Sequence, residues 1–217
     1  MTVNVKKAIE KIYDEELYFV GGTALSFYLN HRISEDIDIV SSKTLNHRKI
    51  IPNMSVLGAR KLQDENVTAL RMAGLFPDEY MIKFTLNNVK LEFFQANRAI
   101  QKEILSQAAF TNFENSRLKI LDLKSIAKLK LVALIMRDKS RDLFDFSSIL
   151  ENNVLNLDEV IELFNKVDNK INSQEDIINF IKSKQEPKDD EAVYLNETNR
   201  IDLGFEEIKD KVVKLLH

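Results

Sequence analysis

The sequence predicts an α+β chain, with a mixed sheet flanked by helices in its first half and a helical second half. Three observations carry this. The apolar run Leu17-Tyr18-Phe19-Val20 ends in Gly21-Gly22 and leads into a helix-like stretch from Thr23 to Asn30, which reads as a buried strand, a tight turn and a helix. Two alternating runs, Met81–Leu86 and Val89–Phe94, flank Asn87-Asn88, and Asn tolerates the positive φ that a two-residue hairpin turn requires. From Asp122 onward the apolar spacing becomes helical, so the chain divides into an α/β domain over 1–120 and a helical domain over 121–217.

The remaining elements follow in order. Val5, Ala8, Ile9 and Ile12 predict a helix over 3–14. Ile37-Asp38-Ile39-Val40 reads as a strand with Asp36 just before it, and the stretch from Met54 to Gln95 favours strands. Leu118–Leu121 suggests one more short strand. Helices are expected around 123–134, 143–150, 157–167, 174–183 and 204–216, with 185–191 as an exposed connection.

Composition narrows the function classes. The 217 residues contain no cysteine, so neither a disulfide framework nor a thiolate metal site is available, and a metal must use oxygen or histidine ligands. With three histidines, oxygen donors are the better expectation. The net charge of −3 means that any nucleic-acid contact must use a local basic patch. The first residues lack the apolar run of a signal peptide, and no stretch approaches the roughly 20 apolar residues of a membrane span. A cytoplasmic protein without a membrane contact is expected.

The chemistry concentrates at two places. On a strand, Asp36 and Asp38 face the same side. Two close carboxylates repel one another, and a hard divalent cation removes that penalty; Mg²⁺ takes one or two carboxylates plus substrate phosphates. An isolated Asp-x-Asp is more often a solvated pair. Here it follows Gly21-Gly22-Thr23, where glycine allows close backbone approach and a helix N-terminus suits phosphate. A third carboxylate is expected on an adjacent strand. Glu92 is the candidate, with Asp78 and Glu79 beside Pro77 as alternatives.

Downstream, Lys130, Arg137 and Arg141 are spaced to share one face if the helix is continuous. Such cations can hold a triphosphate, with Asp142 and Asp145 to orient them; a surface helix carrying salt bridges looks the same. His31 is expected to be exposed at a helix end. Phe93, Phe94, Phe110 and Phe113 are expected in the core. Arg60, Lys61, Arg71, Lys83 and Lys90 are either a basic strand face for RNA or an ordinary solvated one.

Gly21-Gly22 followed by Asp36-Ile37-Asp38 resembles the signature of the DNA polymerase β-type nucleotidyltransferase superfamily. Gly21-Gly22-Thr23-Ala24-Leu25 with Arg32-Ile33-Ser34-Glu35-Asp36-Ile37-Asp38 is closer to one branch, the abortive-infection toxins of the AbiEii/AbiGii type. Lys130–Arg137 and Arg141-Asp142-Leu143-Phe144-Asp145 resemble that branch's downstream motif. The match covers roughly residues 18–40 and 123–150, and it departs from the common pattern in having Glu92 where Asp is frequent.

The resemblance implies a nucleotidyltransferase-like sheet and an enzyme that moves a nucleoside monophosphate from a nucleoside triphosphate to an acceptor hydroxyl, releasing pyrophosphate. It implies Mg²⁺ or Mn²⁺ on Asp36, Asp38 and Glu92, and catalytic roles for these with Lys130 and Asp142. Nucleotide contacts would come from Gly21, Gly22, Thr23, Ser34, Lys130, Arg137 and Arg141. The acceptor would be RNA, such as tRNA, or a protein, and a cognate antitoxin is an expected partner. The alternative is a catalytically inactive nucleotide- or RNA-binding module of the same fold.

Overall fold

The computed structural model describes residues 16–34, 36–63, 67–114, 116–188, 193–196, 199–200 and 203–217. The helix expected over 3–14 lies outside them. The chain forms two compact units, Met1–Ala24 with Glu35–Asp122, and Leu25–Ser34 with Leu123–His217.

The first unit is built on a seven-stranded sheet. Its strands are β1 (Leu17–Val20), β2 (Ile37–Ser41), β3 (Arg60–Leu62), β4 (Met81–Leu86), β5 (Val89–Gln95), β6 (Phe110–Asn112) and β7 (Lys119–Leu121). The spatial order is β3-β4-β5-β2-β1-β7-β6. β2 runs parallel to β5 and antiparallel to β1, so the sheet is mixed. The hairpin forms as the alternation predicts: Asn87 and Asn88 take φ of 51° and 63°, the two left-handed residues of a tight turn.

Alternation fixes which side is which. Phe19, Ile37, Ile39, Ile82, Phe84, Leu91 and Phe93 share one face and are buried. Phe84 and Phe93 meet edge to face at 5.9 Å across the hairpin. After α1 (Gly21–Leu29) and β2 comes a helix, α2 (His47–Val56), whose last residues enter the stretch from Met54 to Gln95 expected to favour strands. It accommodates Pro52 internally and buries Ile50 and Met54. A short helix, α3 (Val67–Met72), and α4 (Ala99–Gln107) complete this unit among the described residues. Phe113 is in the core as expected, edge to face with Phe19 at 5.1 Å. Phe110 is not: it is 46% exposed on the edge strand β6, because β6 has no neighbour on its outer side.

The second unit contains α5 (Leu123–Met136), α6 (Ser140–Glu151), α7 (Leu157–Val167), α8 (Gln174–Ser183), a two-stranded ribbon of β8 (Tyr194–Asn196) and β9 (Asn199–Arg200), and α9 (Phe205–Leu216). α7 starts where Asn156 accepts from the Glu159 amide and the Glu159 carboxylate returns to the Asn156 amide, a reciprocal cap. α6 is the central helix, packed against α5 and α9, and its residues from Leu143 to Ile149 are all buried. Among the described residues no helix is long and apolar enough to cross a membrane.

Candidate active site

In the first unit, β1 hands directly into α1 at Gly21. Gly21 has φ +82°, a conformation that side chains disfavour. A Cβ here would stand 2.0 Å from Oδ2 of Asp38, so the glycine is required on two independent grounds. The turn and the acidic pair read separately in sequence are therefore in direct contact. The hydroxyl of Thr23 donates to the backbone carbonyl of Asp36. This ties the first turn of α1 to the residue preceding β2. Asp36 and Asp38 are both half-buried.

Across the sheet, Asp38 pairs with Val20 on one side and with Glu92 on the other, and Glu92 pairs with Lys83. Directly opposed residues point to the same face. Glu92 thus sits beside Asp38 on the same face. One of its oxygens is engaged by lysines: Lys90 Nζ lies 2.6 Å and Lys83 Nζ 3.5 Å from Oε1. Burial would push the Glu92 carboxyl up, but the hydrogen bond and charge of Lys90, with Lys83 behind it, hold it below its usual range. Lys90 is raised by its bond to Glu92, against the effect of burial, with the charges of Asp36 and Asp38 adding to it. Among the described residues no group of three carboxylates or histidines is gathered closely enough to hold a metal. The donors that remain, Asp36 and Asp38, suit a hard ion that completes its shell with phosphate and water. Asp78 is paired with Lys61 and Arg71 at 2.6 and 3.0 Å.

The second unit holds a buried charge cluster. Asp145, fully buried on α6, receives Lys130 Nζ at 2.7 Å, Arg32 Nε at 2.7 Å, Arg32 Nη2 at 3.1 Å and His31 Nε2 at 2.7 Å. Burial alone would raise its pKa; the charges of Lys130 and Arg32 and the bonds from His31 and Arg32 hold it well below the usual value. The expectation of an exposed His31 is corrected. Its side chain is 5% exposed and stacks on Phe144 with ring centroids 6.0 Å apart, since its nitrogen is needed by a buried carboxylate.

The continuous basic helix is also corrected. α5 stops at Met136 and α6 starts at Ser140, so Arg137 lies in the connection and Arg141 in the next helix. The cations still gather around carboxylates. Arg137 makes a two-pronged bond to Asp142 at 2.6 and 3.1 Å, and Lys130 Nζ lies 3.6 Å from Oδ1, the oxygen that Arg137 Nη2 also meets. Lys184 donates to the Arg137 carbonyl at 3.0 Å and the Asp138 carboxylate at 2.8 Å, fixing the connection. Ser34 and Arg141 are half-buried and belong to this unit. Arg32 and His31 were not assigned roles from sequence. The readable signal was Asp145 itself: a carboxylate between Phe144 and Phe146 on an apolar helix must find cations.

Known proteins supply the wider frame. No curated protein sequence matches the chain. Among solved structures it is similar to JHP933 of Helicobacter pylori, at 18% identity and TM-score 0.51 over 98% of this chain and 87% of that one. It is also similar to MenT4, a nucleotidyltransferase toxin of Mycobacterium tuberculosis, at 12% identity and TM-score 0.56 over 98% and 81% of the two chains. At these identities the likeness is one of fold, and that fold is the nucleotidyltransferase one. A family model described as "Nucleotidyl transferase AbiEii toxin, Type IV TA system" matches residues 6–212. With its turn and acidic pair in contact and nearly its whole length matched, the chain belongs to the AbiEii family of nucleotidyltransferase toxins.

Proposed function

We propose that this nucleotidyltransferase is metal-dependent and moves a nucleoside monophosphate from a nucleoside triphosphate to a hydroxyl of an RNA acceptor, such as tRNA. The observation that supports this is the contact between Gly21 and Asp38, which sets a helix start, where phosphate is favoured, against a carboxylate of the kind that suits a hard cation. A Mg²⁺ or Mn²⁺ ion on Asp36 and Asp38 would neutralise charge on the departing pyrophosphate and favour the attacking oxygen. The backbone amides of Gly21, Gly22 and Thr23 take phosphate oxygens. Lys130, Arg137, Arg141 and Ser34 are proposed as nucleotide-binding residues, with Asp142 orienting Lys130 and Arg137. In the transfer, the acceptor oxygen bonds to the α-phosphorus as the bond to pyrophosphate breaks.

Incubating the protein with labelled nucleoside triphosphates, Mg²⁺ and total RNA tests the reading, beside the Asp36→Ala/Asp38→Ala variant. Transfer should vanish in the variant; equal labelling by both proteins refutes the mechanism. Expression should likewise arrest growth only with the two aspartates intact, and a cognate antitoxin should relieve the arrest. The engagement of Glu92 by two lysines favours one other reading, a binding module without turnover. Nucleotide binding indifferent to Mg²⁺, with no transfer to RNA or protein, would select it.

A further inference from the structure

At the outer end of the same sheet lies a cleft of about 610 Å³. Its walls include Lys61, Leu62, Arg71, Asp78, Met81 and Lys83. Three of these are cations and one is an acid, in a chain whose net charge is −3. Asp78 is 14% exposed and splays between two of the cations, with Oδ1 2.6 Å from Lys61 Nζ and Oδ2 3.0 Å from Arg71 Nη2. It fixes their heads at the cleft while leaving the surplus positive. The segment beside it also presents aromatic rings to solvent: Phe76 is 57% and Tyr80 52% exposed, next to Pro77 and Met81 of the wall.

Lys83 joins the cleft to the acidic pair, whereas Lys61, opposite Phe84 on the edge strand, reaches the cleft from the other face of the sheet. Lys83, Glu92 and Asp38 are successive cross-strand partners on one face. Two strand spacings, roughly 10 Å, separate Asp38 from Lys83. Positive charge that tracks a backbone, with exposed aromatic rings on which bases stack, is the chemistry of single-stranded nucleic-acid binding. We propose that this cleft holds the phosphodiester backbone of the single-stranded end of the RNA acceptor, leading its hydroxyl toward Asp36 and Asp38. The assignment rests on the reading of RNA as acceptor and adds where that acceptor lies.

The test uses the full chain and a fluorescein-labelled oligouridylate, with anisotropy measured over a series of salt concentrations. Lys61→Gln/Arg71→Gln should bind about tenfold or more weakly, and its salt dependence should lose about 1.4 from the slope, two phosphate contacts at about 0.7 each. Asp78→Asn should bind more tightly, since it removes the acid and keeps the cations. That opposite sign separates the proposal from simple misfolding. Unchanged affinity in the double variant, or no gain in Asp78→Asn, overturns it. So does displacement of the oligouridylate by polyglutamate at equal concentration, which marks a site for an acidic protein segment. Label transfer separates the two readings. If the wild type labels protein and no RNA, the acceptor reading fails, while anisotropy still decides the cleft. If it labels RNA with the same KM in the double variant, the cleft assignment fails alone.

Discussion

Arg32 Nε lies 2.7 Å from Asp145 Oδ1, joining residues 113 positions apart in sequence. Removing one partner of a buried ion pair leaves the other charged and unsatisfied, at a cost of about 3–5 kcal/mol. Asp145→Asn should therefore lower the melting temperature markedly. The pair also sets an acid limit. The Asp145 carboxyl is depressed in the folded chain, so the unfolded chain takes up its proton first. The stabilisation is full above the unfolded value of about 3.9 and drains as pH falls through the lower folded one. Melting curves across this range should fall steeply for wild type and more gently for Asp145→Asn; parallel slopes would show that Asp145 is not the titrating group.

Gly21→Ala should destroy the acidic site, because the new methyl would overlap Asp38. A displacement of about 1 Å near reacting groups costs on the order of 100-fold in rate. Gly58→Ala is the control. Gly58 has the same φ of +82° but nothing within 4 Å of an added Cβ. It should lose about 1–3 kcal/mol of stability through backbone strain alone and retain nucleotide transfer. Matching losses of activity in both variants would contradict the contact.

Lys90→Met should tighten Mn²⁺ binding, read by water proton relaxation. The lysine neutralises Glu92, and removing it frees that carboxylate for the ion beside Asp38. A half-exposed pair of this kind is worth up to about 1 kcal/mol, or about fivefold in affinity. Adding Glu92→Gln should cancel the gain. A gain that survives Glu92→Gln would mean that Glu92 takes no part in metal binding.

Arg137→Gln should raise the KM for the nucleoside triphosphate about tenfold, the scale of one charge-assisted hydrogen bond. Asp142, 1% exposed, loses its two-pronged partner in this variant, so the melting temperature should fall as well. Steady-state kinetics check it: an unchanged KM removes Arg137 from the nucleotide site.

Elements with strong local periodicity were readable in advance. The hairpin over Met81–Gln95 and the helices α7 and α8 follow from alternation, turn chemistry and amphipathic spacing. The α2 helix was not, because Pro52 and a weak apolar stripe hide it; Ile50 and Met54 are buried by packing that a local window does not contain. Gly21-Gly22-Thr23 and Asp36-Ile37-Asp38 were visible as motifs, but their contact depends on cross-strand register. The lysine clamp on Glu92 was hidden likewise. Lys83 is on the other arm of the hairpin, and only pairing shows that it opposes Glu92. His31 was misread because a helix end is usually wet, whereas its partner Asp145 is far along the chain.

That separation bears on synthesis. His31 and Arg32 emerge from the ribosome long before Asp145, by roughly 6–23 s at ordinary elongation rates. During this interval two polar side chains destined for burial have no counter-ion to meet. The segment 25–34 cannot reach its final environment until most of α6 has been translated. A nascent chain stalled before residue 145 should therefore leave this segment open to protease.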